Sequence, residues 1–406
     1  MSQVPAESGV AAARNPSRRL FLKSISWCAG AVLLSACAPR LAGGSAGTAR
    51  PSGSAAGGAA WSAVVDAARQ EGAVNVYGAL GAGMSKDLPN AFESAYPGIK
   101  VNGTYAPAGD LISRILAERN AGKFLVDAIT GPATQSVTSL KPVGAVAPLE
   151  PALLLPEVTD LSAWLDKHWW WIDSSEPNTT LAYQGYVGTT VSGNTKMVDL
   201  SQFTSYWDIL DPKWHGKIVS YDVRRPGQGG VQMRFIYRSP ELGSRFVDRL
   251  FRETGIVLST DHRQMVDWLA QGRYQIGLWV SSTYIKAASD QGLPVAEVPG
   301  DQLKEGAPLS VGGGTINLAD SPPHPNAARV FINWLLTREG QTLWQKAIQQ
   351  PSLRLDVARE GLDPNSVPKP DRKYVFGGSE DFMRTSTDDI VNIINRALKG
   401  EPAGTG

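Results

Sequence analysis

The chain has 406 residues, 42% of them hydrophobic, and 39 Lys plus Arg balance 38 Asp plus Glu for a formal net charge of +1. That length gives room for two lobes with cores of their own, and the near-neutral balance excludes a nucleic-acid partner, which would call for a strongly basic face. The only cysteines, Cys28 and Cys37, stand near the start, so the remainder is held by packing and not by disulfides.

Ser17-Arg18-Arg19-Leu20-Phe21-Leu22-Lys23 is a paired-arginine segment, and an uncharged apolar run follows from about Ile25 to Leu34. The run is shorter than the roughly 20 apolar residues a permanent span needs. It reads as an export signal, and the twin arginine favours the route that carries folded proteins. Leu34-Ser35-Ala36-Cys37 resembles the lipobox of bacterial lipoproteins, which implies cleavage after residue 36 and lipidation of Cys37. Residues 1–36 hold Arg14, Arg18, Arg19, Lys23 and Glu7, a net +3, so the remaining 370 residues of a +1 chain carry −2. From Cys37 to about residue 60 the chain is mostly Ala, Gly, Ser and Pro, the composition of a flexible tether of roughly 25 residues and about 25–30 Å reach.

Helical spacing of Trp61, Val64, Val65 and Ala68 predicts a helix over 61–70, stopped at Glu71-Gly72. A strand over 73–77, a helix over 87–96, a strand over 99–103, a helix over 111–120 capped by Asp110, and a strand over 125–129 follow. Strand and helix in alternation imply a largely parallel sheet covered on both faces. The style repeats with strands at 218–221, 256–259 and 275–280 and helices at 229–238 and 262–271, so two α/β modules share one chain.

Several segments resemble the family 1 extracellular solute-binding proteins, the iron, thiamine and polyamine type of periplasmic binding protein. They are Glu71 to Tyr77, Phe92-Glu93-Ser94-Ala95-Tyr96-Pro97-Gly98-Ile99-Lys100-Val101, Ile115 to Lys123 with Val126-Asp127, Tyr206-Trp207-Asp208-Ile209-Leu210-Asp211-Pro212-Lys213-Trp214-His215-Gly216-Lys217-Ile218, and Ala327 to Gln341. The resemblance implies an α/β, two-lobe, type II-like periplasmic-binding-protein fold with strands crossing the hinge. It places lobe one at 61–185 with a return over about 305–345 and lobe two at 186–304. The helices of 346–406 belong to neither by sequence. It implies the solute-binding component of an ABC importer, a monomer outside the cytoplasm that is lipid-anchored, needs no cofactor, performs no catalysis, and has the transporter permease as partner.

Ligands of open α/β sheets bind beyond the carboxyl ends of the strands. That rule selects Tyr77, Gly78, Ala79, Thr130 and Gly131 in lobe one. In lobe two it selects Tyr221, Asp222, Arg224, Arg225, Gln228, Ser281, Ser282 and Tyr284. Gly312, Gly313, Gly314 and Thr315 lie near the return. Arg224-Arg225-Pro226-Gly227-Gln228-Gly229-Gly230 is suited to an anion, through guanidinium pairing and the N-terminus of the next helix, or else is a solvated turn whose arginines pair with acids. Iron-binding relatives present adjacent tyrosines after the strand equivalent to 275–280, where this chain reads Ser281-Ser282-Thr283-Tyr284, so a small polar organic solute is favoured over a ferric ion. Tyr183, Tyr186 and His168-Trp169-Trp170-Trp171 suit packing better than ligand contact. An exported hydrolase and a solute sensor for a receptor are the rival readings. The chain has no H-E-x-x-H or Walker sequence, and its G-x-S-x-G match, Gly43 to Gly47, falls in the Ala-, Gly- and Ser-rich stretch and not between a predicted strand and helix, so there is no nucleophile elbow.

Overall fold

Gly72 adopts φ +74°, a left-handed conformation that costs glycine little, and it ends helix α1 (Gly53–Glu71) one residue before strand β1 (Ala73–Gly78). The computed structural model describes residues 53–79, 84–225 and 229–402. The export signal, Cys37, residues 37–52 of the tether and Gln228 lie outside the described residues. Helix α1 begins eight residues earlier than the apolar spacing predicts, because Ala55, Ala56, Ala59 and Ala60 are strong helix formers that extend a turn already nucleated at Trp61.

The chain then alternates α2 (Met84–Ala95), β2 (Lys100–Tyr105), α3 (Ala108–Asn120) and β3 (Ala128–Thr130). Asp110 does not cap α3. The helix starts three residues sooner behind Pro107, and Asp110 sits in the first turn, where its negative charge complements the positive helix end. Strands β4 (Trp170–Trp171), β5 (Leu181–Ala182) and, much later, β13 (Thr315–Leu318) complete a six-stranded sheet of order β2-β1-β3-β13-β5-β4. Strands β1, β2 and β3 run parallel, while β13 pairs antiparallel with β3 (Thr130 opposite Ile316). The sheet is therefore mixed and not largely parallel, because β13 enters from the other lobe and meets β3 head to tail.

Between these visits the chain builds a second sheet of order β11-β7-β10-β8-β9. Its strands are β7 (Val191–Asn194), β8 (Ile218–Tyr221), β9 (Val257–Ser259), β10 (Ile276–Leu278) and β11 (Val295–Glu297). The helices between them are α4 (Gly230–Arg238), α5 (Gly243–Glu253), α6 (His262–Ala270) and α7 (Ser282–Asp290). The tryptophan-rich motif before β8 is structural. Asp208 accepts the amides of Thr204 and Ser205 at 2.8 and 2.9 Å, Asp211 caps Lys213, and the Trp214 indole donates to the Asp208 carbonyl at 3.1 Å.

A third, three-stranded sheet joins the two. Strand β12 (Ala307–Ser310) pairs with β6 (Tyr186–Val187) on one side and β14 (Tyr374–Phe376) on the other. Strand β6 carries the chain into the second lobe and β12 carries it back, so this sheet is the hinge. Helices α8 (Pro325–Leu336) and α9 (Arg338–Ile348) then cover the first sheet. From Gln349 the chain runs back along the hinge, where the Ser366 carbonyl accepts the Val187 amide at 2.9 Å. It ends in α10 (Glu380–Met383) and α11 (Thr387–Leu398), whose Phe382, Ile390, Ile394 and Ala397 join the core of lobe two.

Each lobe has its own core. Trp164, Tyr183, Phe92, Phe331 and Trp344 anchor lobe one, and Phe203, Tyr206, Phe235, Phe246 and Trp279 anchor lobe two. Among the described residues no helix is long and apolar enough to cross a membrane.

Candidate functional site

A cleft of about 580 Å³ opens at the hinge, within the usual size of small-molecule sites. Its walls come from four distant stretches: the hinge (Tyr186 to Thr189, Ser310), the start of α4 (Gly229 to Gln232), the β10–α7 turn (Trp279 to Thr283) and the C-terminal crossing (Gln349, Gln350, Gly361, Asp363, Ser366). Lys286, Ala287 and Asp290 bring one face of α7 into it.

The β10–α7 turn is strained. Trp279 has φ +53°, is 2% exposed, and its indole N–H has no partner among the described residues. A bulky residue held in the left-handed region marks a place where the surrounding fold over-determines the backbone. Gly229 packs on it: a Cβ there would stand 3.0 Å from Trp279 Cγ and 2.6 Å from Val223 Cγ1, and its φ of +86° also demands glycine. These two residues set where α4 and α7 begin, and both helices begin on the cleft.

Ser281 occupies the N-cap position of α7, yet its side chain caps nothing and bonds no other described residue. Its amide donates to His262 Nδ1 at 3.3 Å. Burial holds the His262 pKa below its ordinary value, so the imidazole is neutral near pH 7 and free to accept that proton. The Tyr221 ring stacks on His262 at 4.5 Å, and Tyr284 continues the stack at 6.0 Å.

Ser282 donates from Oγ to Glu297 Oε1 at 2.7 Å. Burial raises the Glu297 carboxyl to about 7, the Ser282 hydrogen bond opposes that rise, and the charge of Asp363 adds to it. Lys286 is held by both carboxylate oxygens of Asp290 at 2.9 and 3.0 Å. Asp363 accepts the Asn365 amide through Oδ1 at 3.0 Å.

The residues selected from the sequence divide. Ser281 and Ser282 line the cleft. Tyr77 does not face it: the hydroxyl donates to Glu118 at 3.0 Å beneath α3, inside lobe one. Gly78 and Thr130 are buried at the strand ends. Gly131 packs against Ala79, with 3.0 Å from a Cβ there to Ala79 Cβ. Gly313 approaches Ala79 on its other side, Gly312 lies beside Gln184 and Gln350, and Gly314 and Thr315 are buried. Tyr221 lies under His262, and Tyr284 is turned toward α6, beside the cleft and not in it.

Arg224 forms a two-pronged pair with Asp222 at 2.7 and 2.8 Å and donates to Asn395 of α11 at 2.8 Å. It therefore fastens the C-terminal helix, which is the acid-paired alternative of the sequence reading; Asp222 is occupied by the same pair. Arg225 is exposed. The sequence reading passed over Trp279, Lys286, Asp290, Gln349, Gln350 and the 361–366 turn. Only the Gly361-Leu362-Asp363-Pro364-Asn365 turn signature was there to find, and nothing local says that it borders a cleft.

Tyr183 is fully buried against Trp344, edge to face at 4.9 Å. Trp170 packs on Phe376 at 5.0 Å, in keeping with a packing role. Among the described residues no group of three or more His, Cys, Asp or Glu is placed to hold a metal ion.

Residues 73–347 match the model of a family described as bacterial extracellular solute-binding protein. No curated protein matches the sequence. Among solved structures, the Bordetella ferric binding protein superposes with a TM-score of 0.60 at 17% identity, over 80% of this chain and 98% of that one. A Trichodesmium protein in complex with iron and citrate gives 0.56 at 17% identity, over 80% and 99%. A periplasmic binding protein of Actinobacillus pleuropneumoniae with fructose-6-phosphate bound gives 0.51 at 17% identity, over 79% and 98%. At such identities the likeness is one of fold: two lobes and a hinge.

Proposed function

The chain belongs to the bacterial extracellular solute-binding proteins, and from that premise we propose that its hinge cleft captures a small polar organic solute and presents it to the permease of an ABC importer. The observation that carries this reading is the convergence of both crossing strands, two helix N-termini and the C-terminal crossing on one cleft of about 580 Å³. Residues of lobe two, the hinge and the C-terminal crossing meet there, so a solute that touches them all favours the arrangement in which those contacts are made together.

Beside the Lys286 ammonium, which Asp290 holds, and the Trp279 indole, the donors on the cleft are hydroxyls, carboxamides and backbone amides. Tyr186 is the tyrosine that lines it, and burial raises its phenol above the ordinary range while Ser310 hydrogen-bonds it. A ferric ion needs phenolate, which that environment opposes, so a solute held by neutral hydrogen bonds fits better. The protein holds its solute without chemical change and acts as a monomer. Export through the paired-arginine signal and lipidation of Cys37 would keep it at the membrane face.

Gly230 tests the reading. A Cβ there meets nothing nearer than Arg234 Nη1 at 4.0 Å, so Gly230→Trp fills the cleft without disturbing the core. Native mass spectrometry of the protein purified from its own cell envelope is expected to find one solute per chain, and none on the Gly230→Trp protein. Retention of the solute by the variant would move the site elsewhere.

A further inference from the structure

The two ends of the cleft differ in charge. At one end α4 and α7, each nine residues long, both start on the cleft, and their first amides have no intrahelical acceptors. Two positive helix ends directed at one space suit an anion. Ser281 adds an independent sign: it is 8% exposed, it lines the cleft, and its hydroxyl bonds no other described residue. That hydroxyl opens on the cleft without a partner among the described residues, so a ligand there would supply one.

The other end is negative. Lys286, Asp290 and Asp363 are the charged residues among those described that line the cleft. Lys286 and Asp290 neutralise each other, which leaves the charge of Asp363, whose only hydrogen bond is to the Asn365 amide. Asp363 stands beside Lys286, since the two also line the smaller hollow behind α7 together with Glu297. Lys286 follows Ser281 by five residues, about 7–8 Å along the helix axis. A polyanion would meet Asp363 with no free cation to offset it.

We infer that the solute is a zwitterion with well-separated charges, its anionic group seated at the N-termini of α4 and α7 against Ser281 and its ammonium group beside Asp363. This rests on the cleft being the capture site. The spacing selects ω-amino acids over α-amino acids, whose two charges stand too close together to reach both ends.

The test is calorimetric titration of the full chain, freed of co-purified solute, with 4-aminobutanoate, 5-aminopentanoate, 6-aminohexanoate, norleucine, hexanoate, hexylamine and inorganic phosphate. At least one ω-amino acid is expected to bind tenfold or more tightly than hexanoate, hexylamine, norleucine and phosphate. Asp363→Asn is expected to weaken that ω-amino acid about tenfold and to leave hexanoate unchanged, while Ser281→Ala weakens both. Hexanoate or phosphate binding as tightly as every ω-amino acid would overturn the inference, and so would no binding by any ω-amino acid. Loss of the co-purified solute from Gly230→Trp reports separately on the capture site. If that loss occurs and the titrations fail, only the charge assignment falls; if the variant keeps its solute, the capture site itself falls.

Discussion

The tips of the two sheets are built differently. In lobe one the strand ends are closed on themselves: Ala79 packs on Gly131, the Gly131 amide donates to the Thr315 carbonyl at 3.1 Å, and Tyr77 points back beneath α3. In lobe two the strand ends stay open, with a strained Trp279, a glycine start to α4 and a serine at the head of α7 whose hydroxyl caps nothing. Lobe one supplies a closed platform, in which the Thr130 and Thr315 hydroxyls are buried without partners among the described residues, and lobe two, with the hinge and the C-terminal crossing, supplies the groups that line the cleft. The strained backbone of Trp279 stands at the cleft and is tolerated because the rest of the fold holds it.

The comparison can be broken at several points. The largest effect is expected in lobe one. Arg354 is 1% exposed, pairs with Asp356 at 2.7 and 2.9 Å, and donates to the carbonyls of Glu157 and Leu336 at 3.0 and 3.1 Å. Arg354→Ala leaves buried carbonyls unpaired and is expected to cost about 3–4 kcal/mol in denaturant unfolding, with solute affinity of the folded fraction unchanged.

Next comes Glu297 in lobe two. Its folded pKa of about 7 stands above the ordinary 4.5, so the fold holds this proton more tightly than the unfolded chain does. That contribution is complete below about pH 4.5 and is lost as pH rises through 7, a change of about 3 kcal/mol. Unfolding measured from pH 4.5 to 8 should show this decline in the native protein and lose it in Glu297→Gln.

Gly229→Ala places a Cβ against Val223 and Trp279 at a positive φ and is expected to destabilise by about 2 kcal/mol. It should also weaken solute binding, because α4 and Trp279 move together. Arg224→Ala should cost about 1 kcal/mol of stability through the lost anchor to Asn395 and leave solute affinity within twofold, which separates a fastening residue from a ligand contact.

Much of the fold was legible. Helical spacing and short apolar runs locate β1, α4, α6, β8, β9 and β10 to within one or two residues, because each buries a face whose period is written in adjacent positions. The antiparallel entry of β13 was not legible, since strand direction depends on where the chain returns after a long excursion. Nor was most of the cleft. The rule that sites follow strand ends brings out Ser281 and Ser282, which follow the central strand β10 of the open lobe and line the cleft. It fails for Tyr77 and Arg224, whose side chains have partners inside their own lobe. Gln350 and Asp363 reach the cleft only through the C-terminal crossing, and no local pattern encodes a contact between residues 230, 281 and 363.

That the hinge sheet closes two lobes on a solute is tested most directly by an inter-lobe distance. From residue 38 onward the sequence has no cysteine, so spin labels at Lys123→Cys on lobe one and Gln291→Cys on lobe two, in a chain carrying Cys28→Ser and Cys37→Ser, report only that separation. Pulsed electron resonance should find the distance shorter by several ångströms when the co-purified solute is restored to the emptied protein. Identical distance distributions with and without the solute would contradict the account.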